Sequence, residues 1–232
     1  MFLQTYKRAL EVLLKKPIML WGLSLLMVIL TAVGAIVTAS IPFLSMAVGY
    51  LFTCGTVKLY MDGLAGKKVN SKQLFYAFNK NCVKTAGAMA WQNLWAIIWG
   101  FVPIAGIVKG YSYRFVPYII VTHPEISAFD ALKVSMKMTK GKKGQMWLAD
   151  IVFAVGPFLV SLILGLLGGI PVLGYIFQLA SILFIIALAL FGTIFQGLYQ
   201  ASFFNEEDVA AALAEVEAAA AEAPAAEAVA AE

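Results

Sequence analysis

The feature that most constrains this chain is a run of 20 consecutive residues, 18–37, that contains no charged side chain. As an α-helix, such a run spans about 30 Å, which matches the hydrocarbon core of a bilayer. Hydrophobic residues make up 62% of the chain and charged residues 13%, whereas about a quarter of the residues in a soluble domain are charged. The sequence therefore predicts an all-α integral membrane protein.

Five further apolar runs predict six transmembrane helices, arranged as three hairpins within one domain that covers residues 1–204. Each predicted hairpin turns at a proline, namely Pro42, Pro103 or Pro171, because proline starts a helix well but cannot continue its interior. The predicted spans are residues 18–37, 43–61, 87–101, 103–122, 145–167 and 172–195.

The apolar stretch at 87–122 allows a second interpretation, in which a single span covers residues 88–108. That interpretation would leave residues 109–145, with seven basic side chains, outside the cell. Basic loops are retained on the cytoplasmic side of a membrane, so we favour two spans that meet at Val102. The first of these two spans is short for a complete crossing.

The basic residues indicate the orientation and the partner. All 17 Lys and Arg residues lie in the first 204 residues, where they outnumber five acidic residues and concentrate in the loops at 62–86 and 123–144. We therefore expect these loops and both termini on the cytoplasmic side, facing anionic lipid. Nucleic acid is not an expected partner, because the basic residues are interleaved with spans rather than gathered in a groove.

Three basic segments have the spacing of amphipathic helices that lie at the cytoplasmic interface of the membrane. They are residues 2–16, 74–82 and 126–140. In the third segment, Ser127 and Asp130 have the spacing of a capping box, and Gly141 is expected to end the helix.

The last 28 residues differ from the rest of the chain in composition. Residues 205–232 are almost entirely Ala and Glu, and they hold eight of the 13 acidic residues and no basic one. Such a segment cannot bury a core of its own. It is predicted to be a disordered, solvated cytoplasmic tail with transient helix at 206–221.

Lys109 and Arg114 are the candidate functional residues, because both lie in the predicted span 103–122, where charge is costly and often marks a functional site. Arg114 is expected near the middle of the bilayer, and the nearest acid by topology is Asp150 in the fifth span. Tyr111 and Tyr113 are expected to line the same polar region, although an interfacial aromatic belt predicts the same residues.

These charges have two interpretations. In the first, Arg114 pairs with Asp150 to fix the register of the helices, with Gln92 and Asn93 as further polar contacts, or extends towards lipid phosphates. In the second, the charges bind a substrate in a cavity between the helices. We favour the first interpretation.

Three lysines after the third amphipathic segment, Lys140, Lys142 and Lys143, are expected to contact anionic lipid headgroups, each contributing about 1 kcal/mol near the surface. The sequence around them lacks the spacing of a phosphate-binding loop. The single histidine, His123, has no carboxylate cluster or paired histidine near it in the sequence. We therefore predict no catalytic, cofactor or metal site, and no enzyme.

Residues 111–150 carry a pattern that resembles a known family of bacterial membrane proteins, domain of unknown function 975, itself similar to the membrane domain ahead of some glycerophosphodiester phosphodiesterases. The resemblance implies six helices in the bacterial cytoplasmic membrane, places Lys109 and Asp150 at pattern positions and brings no established activity. Thr122-His123, where members commonly have Asp or Asn, and the Ala/Glu tail depart from the family. The matching residues are Tyr111-Ser112-Tyr113, Pro117-Tyr118-Ile119, Pro124-Glu125-Ile126-Ser127-Ala128, Ala131-Leu132-Lys133, Ser135, Gly141-Lys142 and Leu148-Ala149-Asp150.

Two functions follow as hypotheses. The first is a non-enzymatic protein that organises lipids or partner proteins at the cytoplasmic membrane through its basic amphipathic helices. The alternative is a component of a transporter for a small solute or lipid, with a polar intramembrane site around Arg114, Lys109 and Asp150. The sequence identifies neither a substrate nor a partner.

Overall fold

Helices account for most of the described chain, because long apolar runs leave the backbone no hydrogen-bond partner other than itself. The computed structural model describes residues 2–15, 18–79, 81–171 and 173–230, and these contain no β-strand. Lys16, Lys80 and Val172, together with the end of the predicted tail at 231–232, lie outside the described residues.

Eleven α-helices are present in the described residues. In chain order, α1 to α11 are Phe2–Leu14, Ile18–Val37, Pro42–Leu64, Cys82–Gly100, Pro103–Tyr113, Val116–Thr122, Ala128–Met138, Lys143–Leu167, Gly174–Ala187, Thr193–Ala201 and Glu206–Ala230, with a π-helical turn, Leu188–Gly192, between α9 and α10.

Three helices are long and apolar enough to cross a membrane, namely α2, α3 and α8. Helix α9 is apolar but shorter, and the π-helical turn joins it to α10 without leaving helical backbone angles. None of the residues in the most apolar stretch of α8 is buried inside the protein, so that this helix presents its side chains to the surroundings. The prediction of an all-helical protein is confirmed for the described residues, and three of its helices could span a membrane.

The predicted turns lie between helices that pack on each other. Pro42 and Pro103 are the first residues of α3 and α5, and Pro171 lies in the turn before α9. Helix α2 packs on α3, α4 on α5, and α8 on α9. Each of these prolines therefore lies between two helices that pack on each other.

The predicted span 103–122 is not one continuous helix, because α5 ends at Tyr113 and α6 begins at Val116. Pro117 has no N–H, so it cannot donate the helical hydrogen bond to the carbonyl of Tyr113. The side-chain amide of Gln92 on α4 donates to that carbonyl instead, over 3.0 Å. The break thus keeps its buried carbonyl paired.

Ser135 of α7 forms hydrogen bonds with two further backbone groups at this break. Its fully buried hydroxyl donates to the carbonyl of Ser112, 2.7 Å away, and accepts from the amide of Phe115, 3.2 Å away. Since unpaired buried backbone groups are costly, one side chain here replaces two missing helical partners.

Helix α1 is amphipathic as predicted, but it has three faces rather than two. Thr5 and Ala9 are buried against the body of the protein, whereas three leucines on a second face are exposed. The third face is polar. The exposed leucines are Leu3, Leu10 and Leu14, and the polar face holds Lys7, Arg8, Glu11 and Lys15.

The second predicted amphipathic helix, at 74–82, is wrong, because residues 71–79 form turns and α4 begins only at Cys82. Asn70 starts these turns, since its side chain accepts from the amide of Lys72 and its amide donates to Gln73. Side-chain to backbone bonds of this kind compete with helix formation. Leu74 is fully buried and its carbonyl lies against Gly55 of α3, which leaves no room for a side chain there.

The third amphipathic helix is α7, and its ends are as predicted. The hydroxyl of Ser127 accepts from the amide of Asp130 at 3.1 Å. Gly141 has a φ of +78°, a conformation that other residues rarely adopt, in the turn after the helix.

The chain after residue 205 is not a solvated coil in the structure. It forms α11, which packs on α7 and buries Val209, Ala212 and Val216. The spacing of these residues makes a narrow apolar stripe on a helix. Opposite charges assist the contact, since Lys137 lies 2.7 Å from Glu215 and Lys142 pairs with Asp208. The first part of the predicted tail therefore belongs to the folded domain.

Candidate functional site

Arg114 lies at the break between α5 and α6, and Asp150 lies in the second turn of α8. The structure brings the two side chains together as an ion pair, in which each side chain is about one fifth exposed, 20% and 22%. When a guanidinium and a carboxylate are this strongly sheltered from water, their attraction offsets the lost hydration only if they are close and well aligned for hydrogen bonding. Arg114 directly follows α5 with helical backbone angles, φ −55° and ψ −34°, and its side chain reaches α8 from there.

Two tyrosines complete the shell of Asp150. The hydroxyl of Tyr111 donates to the same carboxylate oxygen as Arg114, at 2.8 Å, and the hydroxyl of Tyr199 on α10 donates to the other oxygen. The guanidinium also stacks 4.6 Å above the ring of Tyr111. Both carboxylate oxygens are thus occupied, and the carboxylate joins α5, α8 and α10.

Helix α1 also reaches this cluster. The hydroxyl of Tyr6 donates to the carbonyl of Ala149, and its ring lies 5.0 Å from Tyr199 and 5.3 Å from Phe195. Burial raises the pKa of Tyr6 to about 12, and the nearby carboxylate of Asp150 adds to the rise. Helix α1 is thus held to the body by a hydrogen bond as well as by packing.

Lys109 does not share this cluster. Its ammonium lies 4.8 Å above the ring of Trp99 and 6.0 Å from that of Tyr113, and 3.8 Å from the sulfur of Met136. Five residues along a helix correspond to a rotation of about 140°, so Lys109 and Arg114 point to different sides. Of the five intramembrane candidates, the structure groups Arg114, Asp150 and Tyr111, and places Lys109 and Tyr113 elsewhere.

Lys109 lies in a cavity of about 250 Å³ between α4, α5 and α7. Within the described residues it forms no ion pair with a carboxylate. Three tryptophans, one turn apart along α4, make the main wall. The lining residues are Trp91, Trp95, Trp99, Lys109, Tyr113, Phe129, Leu132, Lys133 and Met136. We call this cavity the tryptophan pocket.

The three lysines expected at lipid headgroups have different surroundings. Lys140 is exposed, Lys142 pairs with Asp208, and Lys143 begins α8 and is close enough to Lys109 for their charges to repel. They do not form one uniform basic patch, because α11 covers part of it.

A polar cleft lies between α2, α3 and α10, with a volume of about 540 Å³. A second cavity, of about 450 Å³, lies beside the π-helical turn and shares Thr193 and Gln196 with the first. Neither cavity is lined by a charged side chain, nor by Arg114 or Asp150. Sequence reasoning missed both, because isolated Ser, Thr and Gln residues in apolar runs give little signal.

A second buried acid was also missed. Asp62, near the end of α3, is 5% exposed and lies 3.2 Å from Lys58, 3.2 Å from the amide of Gln73 and 3.8 Å from Lys67. It fastens the loop of turns at 71–79 to α3. Its signal in the sequence was its position as the lone acid among five lysines of the loop 62–86.

Among the described residues, no group of three or more His, Cys, Asp or Glu side chains is arranged to hold a metal ion. The ring of His123 is 2.9 Å from the hydroxyl of its neighbour Thr122.

Comparisons with protein-family models, with curated proteins and with solved structures return no match to this chain. The resemblance carried by residues 111–150 stays a prediction.

Proposed function

We propose that this protein is a non-enzymatic membrane protein that organises anionic lipid at the cytoplasmic surface of a bacterial membrane. The observation that carries the proposal is the exposed apolar face of α1. Leu3, Leu10 and Leu14 are 62%, 46% and 67% exposed, and they lie beside the polar face that holds Lys7. A helix with these faces lies in the interface, with its leucines among the acyl chains and its lysines at the phosphates.

The loop between α7 and α8 supports the same proposal. Lys140 is exposed, Lys142 follows the turn at Gly141, and Lys143 is the first residue of the long apolar helix α8. Lysines at this place, next to a membrane-spanning helix, meet headgroups on the cytoplasmic side.

Lipid retention tests this proposal. Native mass spectrometry of the detergent-solubilised protein counts the phosphatidylglycerol and phosphatidylcholine molecules that stay bound. Replacing Lys140, Lys142 and Lys143 by Gln should lower the phosphatidylglycerol count. A second triple variant replaces Lys67, Lys68 and Lys72 by Gln, which removes the same charge from the other basic loop. No effect of the first triple variant would overturn the proposal, whereas an equal effect of the two would show that both basic loops retain anionic lipid.

The proposed topology has six crossings with both termini in the cytoplasm. The charge of the loops at 62–86 and 123–144 supports it. The hairpin of α4 and α5 is the shallowest of the three, since α5 has 11 residues, or about 16 Å. A cysteine at Val102 in place of the native cysteines should react with an impermeant reagent from outside. Reaction only from inside would reduce the count to four crossings.

A transporter component is the second candidate, and the polar cleft between α2, α3 and α10 favours it. Its side chains can hydrogen-bond a headgroup without trapping a charge, and they include Gln196 and Thr193 beside the π-helical turn. Turns of this kind occur often at functional sites. Proteoliposomes with a fluorescent phosphatidylglycerol should then scramble it between leaflets, and Gln196→Leu should slow this. Absence of scrambling by the unaltered protein would exclude lipid transport.

A further inference from the structure

We propose that the tryptophan pocket binds the phosphate of one anionic phospholipid, with Lys109 as the main contact. This inference rests on the proposed function and deepens it, because it assigns a specific lipid site within a protein that otherwise meets lipid through exposed lysines.

The first support is the state of Lys109. Its ammonium is partly sheltered, contacts the face of Trp99 and the sulfur of Met136, and has no carboxylate partner among the described residues. Cation–π contacts of this kind stabilise a lysine without neutralising its charge. The pocket therefore holds a net positive charge that an anion would balance.

A second lysine strengthens the positive field at the pocket. Lys133 lines the pocket together with Lys109. One acid opposes them, since Asp130 lies 3.7 Å from Lys133 in a largely exposed pair. A phosphate in the pocket would make a charge-assisted contact with Lys109 and would be attracted by Lys133.

The walls of the pocket match the rest of a lipid. Trp91 packs against Phe129, with ring centres 4.6 Å apart, and in a T-shaped contact against Trp95, with ring centres 5.8 Å apart. Tryptophan is enriched at the level of lipid headgroups, because one edge of its ring is polar and the remainder is apolar. The indole N–H of Trp91 is buried and has no partner in the described residues.

Size and surroundings favour a lipid over a free anion. A cavity of about 250 Å³ accommodates a phosphate with its glycerol but not two acyl chains. Leu94 and Ile98, which are 46% and 45% exposed, lie on the stripe of α4 next to Trp91. They give the acyl chains an apolar path out of the pocket, which a soluble phosphate would not use.

Quenching of tryptophan fluorescence by brominated lipid tests the site in the full-length protein. Three of the five tryptophans line the pocket, so a variant with Trp21→Phe and Trp147→Phe reports on it alone. In nanodiscs, brominated phosphatidylglycerol should quench this variant more strongly than brominated phosphatidylcholine at the same mole fraction. Lys109→Gln should reduce the preference about fivefold, the equivalent of about 1 kcal/mol for one lysine at a lipid surface.

Lys68→Gln is the matched control, because it removes one exposed charge from the loop after α3. It should leave the preference unchanged. Equal quenching by the two lipids, or an unchanged preference in Lys109→Gln, would overturn the site. Displacement of the lipid by millimolar glycerol phosphate would also overturn it, in favour of a soluble ligand.

The two proposals can fail separately. If the triple lysine variant loses phosphatidylglycerol but quenching does not depend on Lys109, the general function stands and this site is wrong. If quenching depends on Lys109 while the triple variant retains its lipid, the tryptophan pocket is a lipid site. The proposed organisation of lipid by the exposed lysines is then wrong.

Discussion

Arg114 and Asp150 form an ion pair that fastens the break between α5 and α6 to α8. The carboxylate accepts from Tyr111 and Tyr199 as well, so both of its oxygens are occupied by this protein's own donors. A carboxylate with both oxygens bonded to the protein has little capacity to bind a substrate, and one terminal nitrogen of Arg114 is the only atom of the pair that is buried without a partner among the described residues. The arrangement favours a structural role for this pair over the alternative of a transport site around it.

Loss of the carboxylate should therefore destabilise the fold. Asp150→Asn leaves the guanidinium of Arg114 without its counter-charge in a partly buried place, which should cost about 3 kcal/mol of unfolding free energy. Asp130→Asn is the control, because its pair with Lys133 is 54% and 42% exposed and should contribute less than about 1 kcal/mol. Unfolding of both variants in mixed micelles measures the difference, and equal losses would contradict a structural role for Asp150.

The hydroxyl of Ser135 should be essential to the break between α5 and α6. Ser135→Ala would leave the buried carbonyl of Ser112 and amide of Phe115 unpaired, at a cost of about 2 kcal/mol. The amide of Phe115 should then exchange its hydrogen faster, as measured by hydrogen exchange and mass spectrometry. Ser71→Ala, at an exposed position in the loop of turns, should have no such effect. Unchanged protection of Phe115 in Ser135→Ala would show that the bridge does not stabilise the break.

The contact between α10 and α3 should tolerate no side chain at Gly197. A Cβ atom there would lie 2.1 Å from the ring of Tyr60, and overpacking of this kind costs about 1–3 kcal/mol. Gly197→Ala should lower the melting temperature in detergent. Gly49→Ala is the control, because no atom lies within 4 Å of its Cβ position, and alanine favours helix there. A melting temperature of Gly197→Ala equal to that of the control would mean that the helices can separate freely.

Docking of α11 on α7 should weaken in acid. The ammonium of Lys137 donates to the carboxylate of Glu215 and holds its pKa below the ordinary value of 4.5. A lowered pKa in the docked state means that the contact is favoured above pH 4.5 and is lost as the pH falls through the lowered pKa. Hydrogen exchange of α11 should therefore rise as the pH is lowered through this range, after correction for the intrinsic rate.

The variant Glu215→Gln should reduce that pH dependence and raise exchange at neutral pH, with the remaining response assigned to the pair of Lys142 and Asp208. Glu217→Gln, on the same helix, is the control and should retain the response. If Glu215→Gln kept the full response, another group would be responsible for it.

The parts of the fold that follow from local pattern could be predicted from the sequence. The uncharged run 18–37 forms α2, and Ser127 and Gly141 mark the ends of α7. The pairing of Arg114 with Asp150 was foreseen from charge cost alone, since few acids lie within the apolar part of the chain. These features depend on residues near in sequence or on a scarce type of residue.

The features of the fold that the sequence did not predict depend on contacts between residues that are distant in the chain. Pro117 could be read as a helix break, but its consequence is set by Gln92 and Ser135, on two other helices. Likewise, the stripe of Val209 and Val216 becomes stabilising only against α7. The composition of residues 205–232 suggested a solvated tail, because composition alone does not show which apolar residues lie on the same face of a helix.

The ion pair also imposes an order on biosynthesis. Arg114 leaves the ribosome 36 residues before Asp150, which at about 5–20 residues per second is a wait of about 2–7 s. In the proposed topology with six crossings, the hairpin of α4 and α5 carries an uncompensated guanidinium during that time, which the bilayer core disfavours. The hairpin should stay in the translocation channel or at the membrane surface until α8 arrives, so that two separated segments enter the lipid as one unit.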